Sequence, residues 1–132
     1  MDYSFPKDFT TKLNVVIIDD ESSARNVLSN LLIKNFQFIE IVTIAVNCQS
    51  GIDSIIKYNP ELVFLDIEMP DGTGFDVLNK TKFLKFDTIL TTAYEQYSNL
   101  IHDYSIIDYL LKPIIVSELR SSIQKVFTKR LV

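Results

Sequence analysis

Residues 62–74 read LVFLDIEMPDGTG. Leu62-Val63-Phe64-Leu65 run apolar without alternation and stop on a carboxylate, Asp66. A short run of this kind is a strand covered on both faces, the habit of parallel sheets. The residues that follow, MPDGTG, carry every turn signal: a proline, an Asp-Gly and a second glycine. A buried strand thus ends on an acid and hands over to a polar loop, in which Gly72 and Gly74 permit a sharp turn back.

Four more strands read outward from this one. LNVVII (13–18) is apolar on both faces, and FIEIVTIAV (38–46) carries Glu40 and Thr43, as suits a less covered edge. DTILTTA (87–93) and IIDYLL (106–111) complete the set. Helical spacing fills the gaps between them. Ser22 or Ser23 is placed to cap a helix with Ala24, Val27, Leu28, Leu31 and Leu32 inward, stopping near Asn35. Ser50 is read as the start of a second helix, with Ile52, Ile55 and Ile56 inward and Asn59-Pro60 as its end. Phe75 and Leu78 mark a third helix, and Tyr97, Leu100, Ile101 and Tyr104 a fourth. Ser117 is placed to cap the last, with Leu119, Ile123 and Val126 or Phe127 inward. Lys125, Lys129 and Arg130 crowd its C-terminal end, where cations suit the helix dipole.

Five strands alternating with five helices predict an α/β domain over residues 13–131, preceded by an arm over 1–12. The expected fold is a doubly wound, five-stranded parallel sheet of order 2-1-3-4-5, flavodoxin-like, with its ligand crevice at the carboxyl ends of the strands.

The chain has 132 residues, and a domain of that size buries roughly 65–70% of its unfolded surface without needing a metal or disulfide to fold. Its net charge of −4 argues against direct nucleic-acid binding, which needs a basic surface. Cys48 is the only cysteine and His102 the only histidine, so neither an internal disulfide nor a Cys/His metal site can form. Cys48 reads as a small packing residue and His102 as a solvated one. The first twelve residues, MDYSFPKDFTTK, lack the apolar stretch of a signal peptide, and no run approaches a membrane span. A reducing, cytoplasmic setting fits these features.

In the expected topology the first, third, fourth and fifth strands are neighbours. Their ends then bring Asp19-Asp20, Asp66, Thr92 and Lys112 to one edge. Crowded carboxylates raise one another's pKa unless a cation intervenes. A hard divalent ion with oxygen ligands resolves this, and Mg²⁺ is the natural candidate. Mg²⁺ commonly takes only one or two carboxylates, which leaves Asp66 an oxygen to use as a nucleophile toward phosphorus. Lys112 and Thr92 would bind the phosphoryl oxygens. The Glu68 backbone carbonyl lies two residues past Asp66, where it could face the metal. Taken singly, each of these residues reads as well as a cap, a solvated acid or a strand residue. The signal is the combination in this order.

That combination resembles the receiver domain of two-component response regulators. VVIIDDE, LVFLDIEMPDGTGFDVL, LTTAY and DYLLKPI carry the resemblance, which covers residues 13–131. TTAYEQY leading into IIDYLLKPI is most similar to receivers that precede LytTR-type DNA-binding domains. The resemblance implies that Asp66 is the phosphoacceptor and that Asp19, Asp20, Asp66 and the Glu68 carbonyl hold Mg²⁺. It gives Thr92 and Tyr109 the roles of switch hydroxyl and switch aromatic, Lys112 that of phosphoryl-binding lysine, and Lys112-Pro113 a cis bond. It implies phosphotransfer from a cognate sensor histidine kinase, in a chain that is not itself an enzyme. Signalling would pass through the fourth helix, fifth strand and last helix to an output domain absent from this chain, with phosphorylation-dependent homodimerisation an expected readout.

Other classes fit less well. A flavodoxin-like nucleotide binder wants a glycine-rich phosphate loop after the first strand, where this chain has DDESS. A phosphatase of the haloacid dehalogenase type wants a second Asp two residues past the nucleophile, where Glu68 stands, and a cap domain. An excised receiver is expected from an ending at KRLV, where the last helix should stop; a stand-alone phosphorelay shuttle is the second reading.

Overall fold

The computed structural model of the protein describes residues 12–96, 104 and 106–130. The arm expected over 1–12 lies outside the described residues except for Lys12, and so does nearly all of the expected fourth helix, with Tyr97 and His102.

Seven strands and four helices are formed among the described residues. In chain order they are β1 (Leu13–Ile18), α1 (Ser22–Asn35), β2 (Ile39–Ala45), α2 (Cys48–Tyr58), β3 (Leu62–Asp66), β4 (Glu68–Met69), β5 (Gly72–Thr73), α3 (Gly74–Lys80), β6 (Asp87–Thr92), β7 (Asp108–Leu111) and α4 (Val116–Arg130). The main sheet has the order β2-β1-β3-β6-β7, all parallel, as the alternation of elements predicts. The MPDGTG stretch is more ordered than a plain loop. β4 and β5 form a two-stranded antiparallel ribbon that pairs Glu68 with Thr73 and Met69 with Gly72. Gly72, at φ +150°, supplies the backbone that its turn requires.

The unalternating strands are explained by a core on each face of the sheet. Val15, Ile17, Leu62 and Phe64 pack with Leu28, Leu32, Leu119, Ile123 and Val126 on the α1/α4 side. Val16, Ile18, Val63 and Leu65 pack with Ile52, Ile55, Val77 and Leu78 on the α2/α3 side. β2 is an edge, as its polar residues suggested, and carries an irregularity: the register passes from Val15↔Ile41 to Val16↔Thr43, leaving Val42 unpaired.

Several helix starts differ from expectation, each for a local reason. The N-cap position of α1 is Glu21 and not a serine; its side chain makes no capping hydrogen bond, and its N–H donates to Asp19 Oδ1 at 2.9 Å. Asn47 caps α2, accepting from the Ser50 N–H at 2.8 Å, and the Ser50 hydroxyl oxygen accepts in return from the Asn47 N–H at 3.2 Å. α4 begins at Val116, one residue before Ser117. Val27 and Ile56, expected inward, are about half exposed. Among the described residues no helix is long and apolar enough to cross a membrane.

Candidate functional site: an acidic pocket at the carboxyl edge of the sheet

Register decides which side chains meet. Ile18 pairs with Leu65, so Asp19 emerges beside Asp66; Asp66 pairs with Thr91, and Thr92 with Leu111, one residue before Lys112. The Lys112 N–H extends this ladder, donating to Thr92 O at 2.8 Å. Asp19, Asp20, Glu21 and Asp66 present carboxylate oxygens that all lie within 4.8 Å of one another. Asp19 and Asp66 are buried. Lys112 Nζ reaches Asp19 Oδ2 at 2.9 Å, Glu21 Oε1 at 3.2 Å and Asp66 Oδ2 at 3.5 Å.

Four carboxylates thus cluster here, and three of them pair with the Lys112 ammonium. Burial, then the charge of Asp19, pushes the Asp66 carboxyl up to about 7, against the pull of Lys112. Burial pulls the Lys112 ammonium down, but Asp19, Asp66 and Glu21 outweigh it and hold its pKa above the usual lysine value. An all-oxygen donor set with surplus negative charge suits a hard divalent cation.

Thr92 is buried at the end of β6, and its Oγ1 accepts from the Tyr94 N–H at 3.1 Å. Tyr109, on β7, is partly buried and packs against the α2/α3-side core. Glu68 lies on β4, in the ribbon that directly follows β3. Lys112-Pro113 is cis. Gly74 lies against the back of the site: a Cβ there would stand 2.7 Å from the Asp66 carbonyl oxygen.

Three supporting residues escaped the sequence reading. Arg25 Nη1 donates to the Asp19 carbonyl oxygen at 2.9 Å and steadies the acid turn from α1. Asp71, in the ribbon's turn, accepts from the N–H groups of Cys48 and Gln49 at 2.8 and 3.1 Å, fastening the loop that follows Asp66 to the start of α2. These two bonds hold the Asp71 carboxyl below its ordinary value. Glu21 is the third; its signal was its place directly after the acid pair. Cys48 agrees with its reading as a packing residue: it is buried, its Sγ lies 3.4 Å from Thr73 O, and burial followed by Asp71 pushes the thiol up to about 12.

The family profile of the response regulator receiver domain matches residues 15–124. An uncharacterized response regulatory protein of Vibrio cholerae is 35% identical over 114 residues, 86% of this chain and 48% of that protein. The sensory transduction protein LytT of Bacillus subtilis is 33% identical over 115 residues, 86% of this chain and 47% of its own. The chain therefore spans about half the length of these curated relatives. The REC domain of AraT, a response regulator from Geobacillus stearothermophilus, superposes with a TM-score of 0.80 at 24% identity, covering 90% of this chain and 95% of that one, which bears on the fold alone. Profile, relatives and topology agree, and the chain belongs to the response regulator receiver domain family.

Proposed function

We propose that this receiver accepts a phosphoryl group on Asp66 from the phosphohistidine of a cognate sensor histidine kinase, in the cytoplasm. The observation that carries the reading is the placement of Asp66 between the Asp19-Asp20 acids and the Lys112 ammonium at one strand edge. An Asp66 carboxylate oxygen forms the new bond to phosphorus, and the phosphorus–nitrogen bond breaks with its electron pair leaving on the imidazole. Lys112 turns from the acids onto the phosphoryl oxygens, and Thr92 offers its hydroxyl to the same group. Asp19, Asp20, Asp66 and the Glu68 carbonyl are the groups that would hold Mg²⁺, which when bound offsets charge between the carboxylates and the incoming phosphoryl group. A groove of about 320 Å³, lined by Ala24, Val27, Pro113 and Ile114 beside Lys112, gives the donor's histidine-bearing segment an apolar seat next to the pocket. In this role the chain takes part in its own phosphorylation and dephosphorylation without being an enzyme in the ordinary sense.

Acetyl phosphate with Mg²⁺ is the direct test. The chain is expected to gain one phosphoryl group by intact mass, and Asp66→Asn none. Labelling of the Asn variant to the same extent would remove Asp66 from the role.

Output follows from the same pocket. Once Thr92 is drawn to the phosphoryl group, space opens for the Tyr109 ring to turn inward, which changes the surface along β7 and α4. Tyr97, Asp103, Tyr104, Arg120 and Lys125 are the candidates for mixed apolar and charged contacts on this face; Arg120 and Lys125 are on α4 and Tyr104 is partly buried, while Tyr97 and Asp103 lie outside the described residues. We assign this surface to phosphorylation-dependent self-association and to control of an output domain of the LytTR DNA-binding type, beyond this chain. Beryllofluoride is expected to raise the sedimenting mass of the parent at micromolar concentration and to leave Thr92→Ala mainly monomeric. Equal association of parent and variant would disconnect Thr92 from the readout.

A further inference from the structure

Glu21 occupies the N-cap position of α1, with the extended backbone typical of a cap, φ −92° and ψ 120°. Yet its side chain makes no capping hydrogen bond. Its Oε1 instead accepts from Lys112 Nζ, 91 residues away in the turn between β7 and α4. The Glu21 backbone is fixed for this reach, since its N–H donates to Asp19 Oδ1 at 2.9 Å. The two acids nearest Lys112 therefore differ in kind. Asp19 is buried, whereas the Glu21 side chain is 58% exposed, so it forms the outer wall of the pocket. Glu21 and Lys112 both line the groove that opens beside the pocket. Lys112 Nζ also stands closer to Asp19 and Glu21 than to Asp66.

We infer that Glu21 is a positioning residue that acts through Lys112: its carboxylate latches the ammonium to the β1–α1 turn in the resting chain, and the latch must open before Lys112 can serve a phosphoryl group on Asp66. The inference rests on the phosphoacceptor role proposed for Asp66. A carboxylate and a phosphoryl group compete for one ammonium, so the cost of breaking the resting pair is subtracted from the affinity for the phosphorylated form. Removing the Glu21 charge while keeping its shape leaves Lys112 held by Asp19 at 2.9 Å, with one carboxylate fewer competing against a phosphoryl group on Asp66.

The test compares the parent chain with Glu21→Gln and Glu21→Asp, using two readouts. The first is the Lys112 Nζ resonance in the metal-free and phosphate-free chain, which reports the latch whether or not Asp66 is ever phosphorylated. It is expected to shift in the Gln variant and to lie between Gln and parent in the shorter Asp variant. The second is beryllofluoride affinity at saturating Mg²⁺, followed by amide shifts. It is expected to rise about fivefold in Glu21→Gln, with Mg²⁺ affinity changed less than twofold. If the parent binds beryllofluoride but the Gln variant binds it equally well with an unmoved Lys112 signal, the latch is wrong and the phosphoacceptor reading stands. If the Gln variant loses Mg²⁺ and beryllofluoride together, Glu21 holds the metal and not the lysine, and the inference is overturned. If the parent itself fails to bind beryllofluoride at Asp66, it is the phosphoacceptor reading that fails.

Discussion

At pH 8 without divalent metal, Asp66→Asn is expected to be more stable than the parent chain, by about 3 kcal/mol in urea unfolding. The folded chain holds Asp66 buried and beside Asp19, which raises its pKa from the ordinary 3.8 to about 7. Below pH 4 the carboxyl is protonated in both folded and unfolded chains, and the folded state keeps the full benefit of a neutral group. Between pH 4 and 7 the unfolded chain releases the proton while the folded chain retains it. Stability therefore falls as pH rises through this window and stays low above it. A displacement of this size corresponds to about 4 kcal/mol. Asparagine does not ionise and escapes the loss, but it also gives up the attraction of the lysine 3.5 Å away, which lowers the net gain. The two chains are expected to be equally stable near pH 4, and Mg²⁺ at pH 8 is expected to narrow the gap by binding the parent's folded state. A difference that is flat from pH 4 to 8 would show that Asp66 does not titrate in this way.

The second large effect is expected at the opposite end of the sheet. Asp87, the first residue of β6, is buried, and its carboxylate accepts from Lys129 Nζ at 2.6 Å and from Arg130 Nε at 3.2 Å. Arg130 also reaches Glu61, through Oε2 at 3.0 Å and the carbonyl oxygen at 3.2 Å. Glu61 Oε1 in turn accepts from the Asn14 N–H at 3.2 Å. The last turn of α4 is thus clamped to the starts of β1, β3 and β6. The double variant Lys129→Ala/Arg130→Ala leaves the Asp87 carboxylate buried without either cation. Removing one side of a fully buried pair costs about 3–5 kcal/mol. Here the cations are 55% and 37% exposed, and solvent screens part of the interaction, so a loss of about 2 kcal/mol is expected. Asp87→Asn, which leaves no buried charge, is expected to cost less than the double variant. Urea titrations of the three chains check this order. A double variant within about 0.5 kcal/mol of the parent would mean that the clamp is ornamental.

Lys129 and Arg130 lie at the limit of what neighbouring residues reveal. Their crowding at the end of a helix was legible, and so was its fit to the helix dipole. Their acidic partners, Asp87 on β6 and Glu61 just before β3, 42 and 69 residues distant, were not. The same holds at the pocket. Asp19, Asp20, Asp66, Thr92 and Lys112 were legible in the sequence because each ends a strand or follows within two residues of its end, and strand ends are visible as the place where an apolar run stops. A parallel sheet with helices on both faces then leaves few orders for the strands, and the order β2-β1-β3-β6-β7 brings those ends together. Arg25 and Asp71 were missed as partners because nothing nearby in sequence marks what their side chains touch, and Glu21 because its place after the acid pair does not show that it reaches Lys112.

The sequence by itself determined the alternation of strands and helices, the double-sided core, the strand order and the list of groups gathered at one edge. Those follow from periodicity and connection rules, which act over a few residues or on whole elements. Only the tertiary structure decided the ribbon of β4 and β5, the slip at Val42, the Asp87 clamp and the placement of Lys112 nearer Asp19 and Glu21 than Asp66. A hydrogen bond or ion pair is gained or lost within about 1 Å, and positions at that scale are fixed by strand register and packing across the whole sheet, not by any single stretch of chain.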